Sequence, residues 1–535
     1  MERRTRFVDM VGRLRIRPES ARERPARGVI GVGLALLAIA LHAATAWRYG
    51  YFRDELYFIA AAKHLAWGYV DQPPLVAFAA WLASPAGYHL LALRALPILA
   101  AALTVYLAVR LARELGGGAF AQLLAGTATL LLPAYLLLGN TLTTTSFEPL
   151  FWTLAVYLTI RVVRAPAPSP LWGVALGVTV ALGAYGKYSI FLLVAGILAG
   201  LLATPERRVL RWPLLAWGAG TAVLLLAPNL LWQGAHGWPI VEVLRGDASH
   251  RPAFANGVAL EYRSAVVNAF SFALEQLVYT NPLAAPVWIA GIVAPFRLAA
   301  LRDLRFVSIA YVVVFVFAVA LSAKGYYIVG IYAALLAIGA VALERAAVAL
   351  RATLFALLVG VAVVTLPLSL PVLPVDGLIA YSRALGLTGR GGAPAMLIQP
   401  VFAEEFGWER LARDVAVVYG SLPSAERERT AVYADTYGDA GALDFFGPAY
   451  GLPPAISSQN TYYLWGTRGY DGNPLIAIGA TRIDLLRRFY RQCDLVRTSS
   501  EPYKQIVEGP APIYLCRDPV APLSAIWPHL RWYGA

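Results

Sequence analysis

The chain has 535 residues, of which 59% are hydrophobic and only 14% charged, with a formal net charge of +13. Soluble domains carry roughly 25% charged residues, so a soluble globular or disordered protein is excluded and a polytopic membrane protein is indicated. Nucleic acid is not the partner implied by the charge. Nine arginines fall among the first 27 residues, with Phe7 the one aromatic there, and others sit in short loops, which is the pattern of loops held against anionic lipid on the cytoplasmic side.

The basic segment 1–27 precedes GVIGVGLALLAIALHAATAW, which has the roughly 20-residue length of a span rather than of a signal-peptide core. The stretch FRDELYFIAAAKHLAWGYVDQPPL follows at 52–75. Its LYFIAAAKHLAWG part reads as a helix lying on the membrane, with Leu56, Ile59, Ala60 and Lys63 on one face and Tyr57, Phe58 and Trp67 as aromatic anchors. Pro73 and Pro74 end it stiffly, and LVAFAAWLA is too short to span. Asp54 and Glu55 are thereby held at a water–lipid boundary, although acids at such a place also cap helix N-termini.

Further spans are expected at about 90–109, 120–138 and 149–163. The run 171–203 has basic flanks on both sides (RVVR and PERRVLR), so two short helices turning near Lys187 fit better than one long span. Spans at about 213–232, 283–296, 306–321, 327–343 and 353–370 complete a set of about eleven, with a polar loop at 233–282. The odd number puts the N-terminus inside and the C-terminus outside. The organisation is thus a cytoplasmic segment 1–27, a transmembrane domain 28–371 and an extracytoplasmic α/β domain 372–535. In the last, RTAVYAD, NPLIAIGA and APIYLC are strand candidates, and ALDFF and RIDLLRRFY look helical. Cys493 and Cys516 are the only cysteines. They have no metal-ligand spacing, and an oxidising compartment permits a bridge between them, two unpaired buried thiols being the alternative.

Three cations stand at expected outer helix ends: Lys187 in ALGAYGKYSI, Lys324 in LSAKGYYIVG, and Arg94. Snorkelling explains any one of them. Together they run against the positive-inside bias and oppose an acid-bearing loop, which indicates an anion site, most naturally for phosphate. Tyr326 and Tyr327 add hydroxyl donors.

The 52–75 stretch resembles the first external loop of the glycosyltransferase family 39 membrane enzymes, of the GT-C class. TSFEPLFWTLAVYL, LGAYGKYS, TPERRVLRWP, APNLLWQGAHGWP, KGYY and GDAGALDFFGPAYGLPPAISSQNTYYLWG agree, so the resemblance covers about 52–528. It implies glycosyl transfer from a polyprenyl-phosphate sugar to a lipid, glycan or protein hydroxyl, at the outer face of a bacterial cytoplasmic membrane. Asp54 matches the catalytic aspartate of the family, with Glu55 orienting or binding the sugar. Lys187, Lys324, Tyr327 and Arg94 would hold the donor phosphate, with Asp71, Glu148, Lys63 and Tyr326 as further substrate-binding residues. No cofactor is expected. A divalent ion on Asp54, Glu55 and Glu148, as in related oligosaccharyltransferases, is disfavoured because those enzymes cleave a diphosphate. A transporter or flippase of polyprenyl-linked sugar is the alternative, but its paired half-repeats are not visible in the sequence.

Overall fold

The computed structural model describes residues 28–249, 253–255, 258–260, 265–321, 323–387, 400–479, 483–504 and 509–534. The expected basic segment 1–27 and parts of the 233–282 loop lie outside these residues. The chain is mostly helical. α1 (Val29–Thr45) is followed by two short helices in the first loop, α2 (Arg53–Ala62) and α3 (Leu75–Leu82). α4 (Ala95–Glu114) comes next, and α5 (Ala119–Leu130) bends by 62° into α6 (Pro133–Gly139), where Pro133 supplies no N–H to continue the ladder. α7 (Glu148–Arg164) leads to α8 (Pro170–Gly186) and α9 (Ile190–Leu202), with Lys187 the residue that closes α8. The break expected in this run is therefore present.

α10 (Trp212–Ala235), α11 (Ala265–Tyr279), α12 (Ala285–Arg297) and α13 (Arg305–Ala320) follow, then a 3-10 turn at Gly325–Ile331, α14 (Tyr332–Leu343) and α15 (Val348–Ser369). Helix α11 corrects the sequence reading, which had a polar loop there. Its Asn, Ser, Glu and Gln residues hid an otherwise apolar run. Among the described residues, five helical stretches are long and apolar enough to cross a membrane, or seven if each of two bent pairs is one span. Three shorter apolar helices, α1, α8 and α9, stand at other expected spans.

Small residues set the helix packing. A Cβ on Gly173 or Gly177 of α8 would run into the backbone of Leu214 or Gly218 on α10, the close approach that small-xxx-small spacing permits. The charged loops gather at one end of the bundle. Arg110 and Arg161 lie 3.1 and 2.9 Å from Glu114, and Arg164 lies 2.7 Å from Asp303. Glu114 ends α4 and Arg94 precedes its start, so these loops are roughly 30 Å from the acid-bearing loop.

Beyond α15 the chain forms α16 (Val375–Ala384), α17 (Trp408–Gly420), β1 (Ala431–Ala434), α18 (Tyr437–Phe446), α19 (Asn460–Trp465), β2 (Leu475–Ile478), β3 (Tyr490–Ser499) and β4 (Ala511–Pro519). The sheet order is β1-β2-β4-β3, with β1 and β2 parallel and the other pairs antiparallel. The three strand candidates lie in β1, β2 and β4. The expected RIDLLRRFY helix is confined to Ile483–Leu486, because the chain turns at Arg487–Phe489 into the edge strand β3. Cys493 and Cys516 face each other on β3 and β4 with Cα atoms 4.0 Å apart, and their sulfurs are bonded.

This C-terminal domain sits on the first loop. Helix α18 crosses α2 so closely that a Cβ on Gly441 would come 2.8 Å from the Leu56 carbonyl carbon. The expectation of an interfacial α2 is thereby corrected: every residue from Glu55 to Ala62 is buried. Leu56 to Ala62 is apolar all round, and such a helix belongs inside a protein rather than half in water. Of the three expected anchors, only Trp67 is exposed, at 59%.

Candidate active site

Asp54 and Glu55 occupy the first turn of α2 and face different surroundings. The Asp54 side chain is 26% exposed. Its Oδ1 accepts a hydrogen bond from the Tyr437 hydroxyl at 2.9 Å and one from Arg53 Nε at 3.3 Å. Tyr437 is the first residue of α18, a helix start fixed by the Thr436 side chain, whose Oγ1 accepts from the Asp439 N–H at 3.1 Å. The Tyr437 N–H donates to Gln459 Oε1 at 2.7 Å. Burial pushes the Tyr437 hydroxyl well above its usual pKa, with Arg53 opposing, so it stays a donor to Asp54. The Arg53 guanidinium lies 5.4 Å from the Tyr437 ring centre, within cation–π range.

Glu55 has no exposure, and its oxygens are saturated. Arg94 grips it with two bonds of 2.8 Å, the Phe52 N–H reaches it at 2.9 Å and the Leu142 N–H at 2.8 Å. Arg94 is equally committed, donating to the carbonyls of Ala46 and Gly50 at 2.8 and 2.9 Å and standing 3.6 Å from Glu405. This corrects two expectations. Arg94 does not stand with the other cations and Glu55 is not open to a sugar; the two form a buried strut. Its value is positional: through Leu142, Glu55 pins loop 140–147, which leads directly into α7.

That loop carries Thr145, and α7 begins with Glu148. The Lys187 ammonium donates to Thr145 Oγ1 at 3.0 Å and lies 3.7 Å from Glu148 Oε2. It also faces the rings of Tyr327 and Tyr326, at 3.8 and 5.0 Å from their centres. Its side chain is 17% exposed while Glu148 is sealed, with neither carboxylate oxygen hydrogen-bonded. Lys324 is exposed and within electrostatic reach of Lys187. Tyr326 is within electrostatic reach of both Asp54 and Glu148. Lys187, Lys324, Tyr326, Tyr327, Glu148 and Asp54 therefore form one neighbourhood.

Asp71 lies beside it. The Tyr57 hydroxyl donates to its Oδ1 at 2.7 Å and Asn460 Nδ2 to its Oδ2 at 3.0 Å. Burial pushes its pKa up to about 6 against the pull of these donors. Lys63 is elsewhere: it is exposed and reaches the Asp444 carbonyl of the C-terminal domain at 3.5 Å, which corrects its grouping with the substrate residues. The acids raised for a metal are also divided, with Glu55 on Arg94 and Glu148 on Lys187. No group of three or more metal-ligating side chains occurs among the described residues. Sequence reasoning missed Tyr437, Asn460, Thr145 and Glu405. The capping pattern TYGD announces the helix that starts at Tyr437, but nothing in one sequence pairs it with an acid 383 residues away.

Residues 71–232 match the family model described as dolichyl-phosphate-mannose-protein mannosyltransferase. The whole architecture is that of a polytopic GT-C type membrane protein with a C-terminal sheet domain, and the resemblance noted in the sequence is borne out. The chain is similar in fold to the apo crystal structure of ArnT from Cupriavidus metallidurans, at 15% identity and a TM-score of 0.57, over 91% of this chain and 97% of that one. The same ArnT bound to undecaprenyl phosphate aligns at 16% identity and a TM-score of 0.58, with the same coverage. No curated protein matches the sequence.

Proposed function

We propose that the chain is a membrane glycosyltransferase that moves a sugar from a polyprenyl-phosphate donor to a hydroxyl acceptor, with inversion at the anomeric carbon. The observation that carries this reading is a partly exposed carboxylate, Asp54, within electrostatic reach of Tyr326, whose ring centre lies 5.0 Å from a partly exposed ammonium, Lys187. The family match at 71–232 and the ArnT-like fold, one example of which holds undecaprenyl phosphate, support it.

In this reading Asp54 is the general base. The acceptor O–H loses its proton to Asp54 as its oxygen bonds to the anomeric carbon, and the bond from that carbon to the phosphate oxygen breaks. The polyprenyl phosphate leaves with the electron pair, and Lys187 and Lys324 stabilise the growing charge. Glu148 sits behind Lys187 and keeps its ammonium in place, while Thr145 sets its direction. Tyr437 and Arg53 hold Asp54 at a fixed height, so the outer domain is a positioning element for the base. A single displacement of this kind inverts the centre. The reaction would lie on the outer face of a bacterial cytoplasmic membrane, with no metal in any step.

A transporter reading could draw on the two bent helix pairs. It gives no role to a carboxylate held for proton transfer beside a phosphate-sized cation group. The deciding experiment incubates the purified chain with polyprenyl-phosphate sugars extracted from bacterial membranes and with separated lipid, glycan and protein fractions. Release of polyprenyl phosphate with a matching mass gain on one fraction is expected. Donor that is consumed by no fraction, yet moves across vesicle bilayers, would replace this reading with transport.

A further inference from the structure

We infer that a second anion site, at the end of the bundle away from Asp54, holds the phosphate of an anionic membrane-lipid headgroup. A cavity of about 330 Å³ opens there, lined by Arg164, Arg208, Arg211 and one acid, Asp303. Its volume is at the lower end of the range for small-ligand sites. Three guanidinium groups against one carboxylate leave the lining net positive.

The arginines divide their work. Arg164 is committed to the protein: it pairs with Asp303 at 2.7 Å, and its Nη1 donates to the Glu114 carbonyl at 3.2 Å. Arg211 uses Nε alone, on the Arg208 carbonyl at 3.3 Å. The Arg208 guanidinium has no ion-pair partner among the described residues. Arg208 and Arg211 thus retain most of their N–H groups for a ligand, and planar forked donors suit phosphate oxygens. Pro166 and Pro168 line the same cavity, and their fixed φ angles stiffen its rim.

The surroundings select a lipid over a soluble anion. Leu171 and Trp212, at the starts of α8 and α10, are 74% and 79% exposed, and Leu202 at the end of α9 is 61% exposed. These helices are apolar, so such side chains meet hydrocarbon and interface, where tryptophan is enriched. A phosphate in the cavity would lay its acyl chains over them. The site is separate from the one around Lys187. Further along α10, Asn229 donates to the Trp67 carbonyl of the first loop at 2.7 Å. Trp212 and Asn229 are therefore roughly 25 Å apart along one helix.

The test is native mass spectrometry of the full chain in detergent with added phosphatidylglycerol or phosphatidylcholine, for the wild type and the Arg208→Ala/Arg211→Ala double variant. Both side chains are exposed, so folding is expected to survive, and undecaprenyl phosphate binding serves as the control that it has. Selective retention of phosphatidylglycerol is expected, weakened roughly 10- to 30-fold in the double variant. Equal retention of the two lipids, or unchanged phosphatidylglycerol binding in the double variant, would overturn the proposal. Displacement of the lipid by millimolar inorganic phosphate would also overturn it, by making the cavity a site for a soluble ion.

Discussion

Asp54 and Glu55 are adjacent acids on one helical turn, yet the two regions they face are built on opposite principles. Around Glu55 every lone pair is taken by Arg94, Phe52 and Leu142, and nothing is left for a ligand. Around Asp54 one oxygen is held by Tyr437 and Arg53 while the side chain stays open to solvent. A saturated buried pair sets geometry, and a partly held, partly open acid is available for proton transfer. The strut also reaches the second half of the site, since Glu55 pins the loop that supplies Thr145 to Lys187. In the proposed mechanism one acid therefore places what the other uses.

The comparison breaks first at the two acids. Asp54→Asn is expected to lower turnover roughly 10²–10⁴-fold with the fold intact, measured as polyprenyl phosphate released from donor. Arg94→Ala should act on stability instead, by ~3–5 kcal/mol, because it leaves Glu55 buried and unpaired; thermal unfolding in detergent reads this. If Arg94→Ala folds normally and only loses donor affinity, the strut is part of the phosphate site after all.

Smaller effects sharpen the boundary between the regions. Lys187→Met removes one charge-assisted contact and should weaken undecaprenyl phosphate binding about 10- to 100-fold, read by titration. Tyr437→Phe should lower kcat by about tenfold or less while leaving the donor KM unchanged, because it loosens the proposed base without touching the proposed phosphate cations. A matched loss in KM would move Tyr437 from positioning to substrate binding.

The smallest effect concerns Glu405, a residue of the C-terminal domain that stands 3.6 Å from Arg94. Burial pushes its pKa from 4.5 up to about 8, with Arg94 opposing. A carboxyl whose folded pKa is raised contributes its stability fully below pH 4.5 and loses it as the pH rises through 8. Glu405→Gln should therefore flatten that decline and melt higher than the wild type near pH 8. A variant with the same pH profile as the wild type would show that Glu405 does not titrate in this window.

The sequence made some of this legible for physical reasons. Basic flanks on both sides of 171–203 forced a turn near Lys187, and the short apolar segment 75–82 could not span. Cations at helix ends where the sequence pattern leads one to expect few marked Lys187 and Lys324. What stayed hidden depends on contacts between distant residues. Asp54 and Glu55 look alike in a string, and only Arg94, 39 residues from Glu55, makes one of them structural. The burial of α2 was hidden because an apolar helix reads the same against lipid as beneath another domain, and Gly441, which lets that domain approach, is an ordinary residue in the sequence.

The central claim is that neighbouring acids divide chemistry from architecture. Thermal unfolding of Asp54→Asn and Glu55→Gln, each with and without undecaprenyl phosphate, tests it most directly. Asp54→Asn should melt with the wild type and gain the same stabilisation from the ligand while its sugar transfer falls roughly 10²–10⁴-fold, and Glu55→Gln should melt lower in both conditions. An Asp54→Asn protein that transfers sugar at the wild-type rate, or a Glu55→Gln protein that melts normally but is inactive, would contradict the account.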